Sequence, residues 1–134
     1  MTSPLSGVSA SGGPGCHGRI DRADDPALPP AVLVVAHDDA PPGVLREVCA
    51  GAEEQGIPTA ILGPSTDGAD DAGRRAASES RLEVGVGIGV DGAVVVRHAL
   101  VADPVLVLPG GAPAPRARSA GADAARIVAG LPLG

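Results

Sequence analysis

Two adjacent carboxylates, Glu53 and Glu54, stand near the close of LREVCAGAEEQGIP at residues 45–58, and their placement asks for a chemical reason. The segment has the spacing of an amphipathic helix, with Val44, Leu45, Val48, Cys49 and Ala52 on one face and Arg46, Glu47, Glu53 and Glu54 largely off it. Aligned peptide dipoles leave partial negative charge at a helix C-terminus, so each carboxylate there costs a few tenths to about 1 kcal/mol. Two readings stay open on the residues alone. The pair is solvated at a helix end, or one carboxylate is a hard oxygen ligand to Mg²⁺ or Ca²⁺ or accepts an Arg from a partner. One carboxylate makes no complete metal site, so a cation here requires oxygens from another chain.

The other reactive side chains carry weaker signals. Cys16 and His17 are adjacent in a segment without apolar periodicity, where such a pair is incidental. Cys16 and Cys49 do not form a metal-binding pattern, and Cys49 reads as a small buried thiol of a reduced, cytosolic protein. His98 has no nucleophile to serve, which makes it a structural or interface histidine. All 10 basic residues are Arg, excluding a lysine Schiff base, a lysine nucleophile and a P-loop lysine. Glycines 85, 87 and 89 follow a G-x-G-x-G spacing on a strand, whereas a dinucleotide fingerprint needs G-x-G-x-x-G opening a helix, so phosphate binding is rejected there.

Composition bounds what can position these residues. The chain has 134 residues and no Phe, Tyr or Trp, so aliphatic side chains and Ala must fill the core and no ring is available to stack a base or a flat cofactor. A formal net charge of -6 argues further against nucleic acid, whose phosphates demand a basic surface. No apolar run reaches the length of a membrane span and the first residues lack the basic start of an export signal, so a cytoplasmic protein without a membrane partner is expected. Residues 1–30 are rich in Gly, Ser, Pro and Asp and read as a flexible tail outside the folded domain, which then occupies residues 31–134.

Within that domain AVLVVA at 31–36 predicts a strand covered on both faces. A helix over about 43–55 follows, capped by Asp38 or Asp39, opened by Pro41 and Pro42 and ended by Gly56. With a second strand over 58–62 this makes a right-handed β-α-β unit. A helix over about 69–80 comes next, with Asp67, Asp70 and Asp71 near its start and Arg74 and Arg75 toward its end. VGVGIGVDGAVVVRHAL at 84–100 predicts a hairpin with Asp91-Gly92 as a two-residue turn, and its three glycines leave one strand face open to close approach by a helix or another chain. A short strand within 104–109, a GGAPAP loop and a helix over about 116–129, stopped by Gly130, complete the pattern. The expected fold class is α/β: a single compact layered domain, its mostly parallel sheet carrying one antiparallel hairpin and flanked by helices.

In this order, LREVCAGAEEQGIP, VGVGIGVDGAVVVRHA and RSAGADAARIVAGLPL resemble the small (beta) subunit of the diol and glycerol dehydratase reactivating factors, over residues 31–133. The resemblance implies a non-catalytic, chaperone-like accessory subunit that joins a large Hsp70-like ATPase subunit. That complex releases damaged cobalamin from an inactivated adenosylcobalamin-dependent diol or glycerol dehydratase. The small subunit is similar to the dehydratase's own medium (beta) subunit and exchanges with it. The resemblance also implies that the acidic residue matching Glu54 helps hold Mg²⁺ or Ca²⁺ at the interface with the large subunit, while this chain binds no nucleotide. Glu53, Glu54, Gln55 and His98 are the candidate interface residues. The cytoplasmic expectation stands with or without a microcompartment, and the isolated chain is open to self-association through an exposed glycine-rich strand or interface. The alternatives are a medium-subunit-like component of the dehydratase itself and a small regulatory protein-binding domain.

Overall fold

The computed structural model describes residues 19–20 and 29–130. The apolar run becomes β2, Val32–Ala36, every residue of which is buried. Its alternate side chains serve two cores, with Val32, Val34 and Ala36 on one face and Leu33 and Val35 on the other. That is the physical reason for an unbroken apolar strand: it has no solvent side. Helix α1, Pro42–Glu54, leads to β3, Thr59–Leu62, and helix α2, Ala69–Glu79, leads to β4, Val84–Ile88. After these come β5, Val94–His98, β6, Leu106–Leu108, and helix α3, Ala114–Ala129. A two-residue strand β1, Arg19–Ile20, pairs in parallel with the outer edge of β3.

The strand order is β1-β3-β2-β4-β5-β6, parallel from β1 to β4 and antiparallel from β4 to β6. Helices α1 and α3 cover one face of the sheet through Val48, Cys49, Ala117, Ala120 and Ala124. Helix α2 covers the other through Ala72 and Ala76. Ala is small, so these helices lie close to the strands, and the strand glycines make that closeness available. A Cβ on Gly87 would overlap the Ala69 carbonyl oxygen and the Gly73 nitrogen of α2. The open face predicted for the glycine strand is therefore filled by a helix of the same chain.

Four expectations need correction. The hairpin loop is longer than two residues: the Gly89 N–H donates to Ala93 O and the Gly92 N–H to Gly89 O, leaving residues 90–92 as the loop with Gly92 at φ +87. This is the three-residue connection in which a left-handed glycine closes the bulge. Asp38 and Asp39 do not cap α1, whose N-cap is Pro41 without a side-chain bond. Asp38 instead accepts from the Ser65 N–H at 3.1 Å. Arg74 and Arg75 lie inside α2 rather than in its last turn and pair with Asp70 and Glu79. Finally, Arg19 and Ile20 extend the sheet from within the segment read as a tail, and the rest of that segment, residues 1–18 and 21–28 with Cys16 and His17, lies outside the described residues.

Candidate functional site

Glu53 and Glu54 sit at the end of the sheet where the parallel strands begin, because α1 runs back against β2 before the chain enters β3. The helix stops there through a pair of bonds that satisfy its last carbonyls. The Gly56 N–H donates to Glu53 O at 2.9 Å and the Ile57 N–H to Ala52 O at 3.3 Å, with Gly56 at φ +83. This termination needs a residue free to adopt the left-handed region, which is why E-E-Q-G closes the helix.

The two carboxylates then part. Glu53 is half-buried, and its Oε2 accepts from both the N–H and the Oγ1 hydroxyl of Thr59, each at 3.1 Å. Thr59 is buried at the start of β3, so Glu53 ties the helix end to the strand. The expectation of an exposed pair fails for Glu53. Glu54 is exposed, with 55% of its side chain open, and faces α3, where Arg118 Nη1 lies 3.3 Å from its Oε2. The Nε of the same guanidinium holds Glu47 at 3.1 Å. Arg118 supplies the positive charge that the helix end lacks, which explains how carboxylates are tolerated there.

The α1–α3 crossing puts Arg118 in reach. A Cβ on Gly51 would overlap the Arg118 carbonyl oxygen, and a Cβ on Gly121 would overlap the Val48 carbonyl oxygen. Two glycines thus meet on facing helices and bring the backbones together. Sequence reasoning missed Arg118 and Thr59. The signal for Arg118 was present in the small-residue spacing of both helices, but pairing distant helices needs the fold.

Gln55 is the exposed C-cap of α1. His98 closes β5 opposite Val84, the first residue of β4, and so lies at the same end of the sheet. It is engaged elsewhere than at the Glu54 cluster, since its Nδ1 accepts from the Leu100 N–H at 3.1 Å. At the opposite end, where open α/β sheets commonly take ligands, the loops that follow the neighbouring strands β2 and β3 are tied to each other. The Asp38 N–H donates to Ser65 O at 2.8 Å, and the Ser65 N–H returns a bond to Asp38 Oδ1.

As a metal donor, Glu54 offers one exposed hard oxygen group. Among the described residues no three His, Cys, Asp or Glu side chains gather as a metal site. The residues present fit one corner of a shared site rather than a cage. Among the described residues, too, no helix is long and apolar enough to cross a membrane.

A family model described as the dehydratase medium subunit matches residues 29–134. Over 93 residues the chain is 38% identical to a curated protein of Citrobacter freundii named as a probable glycerol dehydratase-reactivating factor small subunit, spanning 67% of this chain and 80% of that protein. Among solved structures, a chain of a glycerol dehydratase reactivase superposes with a TM-score of 0.74 at 31% identity, covering 79% of this chain and 97% of that one. A chain from the diol dehydratase-reactivating factor complexed with ADP and Mg²⁺ gives 0.70 at 30% identity, covering 80% and 99%.

Proposed function

Because the chain belongs to the dehydratase medium-subunit family, we propose that it works as the small, non-catalytic subunit of a dehydratase-reactivating factor. The observation that carries this reading is the near-complete coverage of two reactivating-factor chains at about one-third identity, with the same fold throughout. The partner is a large, Hsp70-like subunit that holds and hydrolyses ATP. The client is an adenosylcobalamin-dependent diol or glycerol dehydratase carrying a damaged cofactor. A domain of the medium-subunit family can compete for the surface that the dehydratase's own medium subunit occupies. Exchange proceeds only as far as the two affinities differ, so the ATPase cycle must bias that difference.

In this reading Glu54 gives one carboxylate to a divalent cation, Mg²⁺ or Ca²⁺, that takes its remaining oxygens from the large subunit. Glu53 holds the helix end in place, Gln55 lies beside it, and Arg118 keeps Glu47 as a counter-ion when Glu54 turns to the cation. Such a cation would supply charge neutralisation and a geometric link between Glu54 and oxygens of the partner. We place the pair of subunits in the cytoplasm.

The family name also favours a second reading, a medium-subunit-like component of the dehydratase itself. A pull-down from source lysate with this chain as bait, with and without EDTA, separates the two. Recovery of a large ATPase subunit, lost on chelation, supports the reactivating role and the shared cation. Recovery of dehydratase catalytic chains alone rejects it in favour of the second reading.

A further inference from the structure

On the face opposite α1, at the same end of the sheet, an open cleft of about 480 Å³ lies between the C-terminal half of α2 and the turn that follows β5. Its polar lining comes from Arg74, Ser78, Arg97 and His98, and no Asp or Glu lines it among the described residues. That is a strong local bias in a chain whose net charge is -6. His98 Nδ1 accepts the Leu100 N–H, which leaves Nε2 as the protonated nitrogen and a hydrogen-bond donor. Arg74 is exposed, and its contact with Asp70 is long, 3.7 Å from Nε, so most of its guanidinium fork is open to a second acceptor.

The rim is apolar and held rigid. Leu100 and Val101 are 77% and 47% exposed, and they sit on a turn braced from three directions. The Val101 N–H donates to His98 O at 3.1 Å, the Leu100 N–H to His98 Nδ1, and Arg97 Nη2 to Ala102 O at 2.9 Å. Arg97 is itself buried and anchored by Asp70 at 3.0 Å, so the turn stands on a fixed base. An exposed Leu on an ordered turn beside Arg74 and His98 has the anatomy of a contact that costs little ordering on docking.

We propose that this cleft docks a protein segment bearing an Asp or Glu carboxylate next to an aliphatic side chain, the carboxylate meeting Arg74 and His98 while the aliphatic group covers Leu100 and Val101. The occupant belongs to the large subunit of the reactivating factor, a clause that rests on the proposed function. Charge complementarity argues for the carboxylate, since the two formally charged side chains of the lining, Arg74 and Arg97, are both cationic.

Binding of the purified large subunit to the full chain, measured by calorimetry in saturating Mg²⁺, tests the proposal on four proteins: wild type, Arg74→Glu, Leu100→Ser and Arg46→Glu. Arg46 is an exposed arginine in the first half of α1, toward the other end of the sheet, and serves as the charge control. Arg74→Glu is expected to weaken binding by about tenfold or more with a flatter salt dependence, Leu100→Ser by roughly fivefold, and Arg46→Glu by less than about twofold. Unchanged melting of the Arg74 and Leu100 variants shows that the fold is not the cause. If the wild type binds and Glu54→Ala weakens it, yet Arg74→Glu and Leu100→Ser bind as wild type, the cleft proposal is overturned and the reactivating role stands. Failure of the wild type to bind at all overturns both. Should acetate titration shift the backbone amides of residues 99–102 while the two cleft variants keep full affinity, the cleft takes free small carboxylates and the protein occupant is wrong.

Discussion

Replacing Gly51 by Ala tests whether the α1–α3 crossing is what sets Arg118 against Glu47 and Glu54. A β-carbon at this position would overlap the Arg118 carbonyl oxygen and lie 2.9 Å from the Ala122 nitrogen. Both neighbours are backbone, so no side chain can rotate away and the helices must move apart. In a helix interior Ala is favoured over Gly by about 0.8–1.0 kcal/mol, which works in the variant's favour. Overpacking a tight contact costs about 1–3 kcal/mol, and a rigid backbone neighbour puts this site at the upper end. The net expectation is a loss of about 1–2 kcal/mol, a urea midpoint lower by roughly 0.5–1 M for a domain of this size. Gly43→Ala is the matched control. It lies in the same helix with only Arg46 Nη1 near its added carbon, at 3.9 Å, and should be neutral or stabilising by up to about 1 kcal/mol. Urea unfolding followed by circular dichroism reads both. A Gly51→Ala variant as stable as wild type would refute the argument that backbone contact fixes this crossing.

Glu53→Ala removes the acceptor of the Thr59 N–H and hydroxyl and should cost about 1–3 kcal/mol in the same unfolding assay, because Thr59 is buried and its donors lose their partner. Glu54→Ala breaks only an exposed pair, so stability should change by less than about 1 kcal/mol, while Mg²⁺-dependent affinity for the large subunit falls. Equal affinity in chelator and in Mg²⁺, for wild type and variant alike, would remove the shared-cation role. Arg97→Ala deletes a buried guanidinium that holds Asp70 and the Ala102 carbonyl, and about 2–4 kcal/mol of stability should go with it, along with slowed-exchange protection of the amides of residues 100–102 by hydrogen exchange.

The elements were legible in the sequence because each carried a local cause. The unbroken AVLVVA run announced a strand without a solvent side, and Gly56 and Gly130, at φ +83 and +72, marked where two helices stop. The alternating glycines announced close approach, and α2 supplied it. What stayed hidden was pairing across the chain. Nothing local in Glu53 says that Thr59 will donate to it, and nothing in Arg118 says that a helix far earlier in the chain will present Glu47 and Glu54 to it. The two-residue turn at Asp91-Gly92 failed for a related reason. The Asp-Gly pair is compatible with both hairpin types, and the loop that formed uses Gly92 to close a bulge while Asp91 Oδ1 accepts the Ala93 N–H. Of the site, the acidic helix end could be read early because it broke the dipole rule, whereas the cleft around Arg74 and His98 joins α2 to the far end of β5 and exists only in the fold.

A core without aromatic rings has a consequence for where this domain can meet partners. Val, Ala and Gly fill little volume, so the helices are drawn onto the sheet and onto each other until backbone nearly touches backbone. The chain's own helices thereby cover the middle of both faces, while Val107 on the edge strand β6 stays 61% exposed. Two groups of exposed side chains lie where the parallel strands begin: Glu54 and Gln55 at the end of α1 on one side, and Arg74 and Leu100 with half-buried His98 around α2 on the other. One side offers a carboxylate and the other offers donors. Under the proposed cation role of Glu54 and the proposed cleft, one partner surface would carry oxygens toward α1 and a carboxylate toward α2. Those opposite demands would fix its orientation across the sheet end, which a single charged patch could not do.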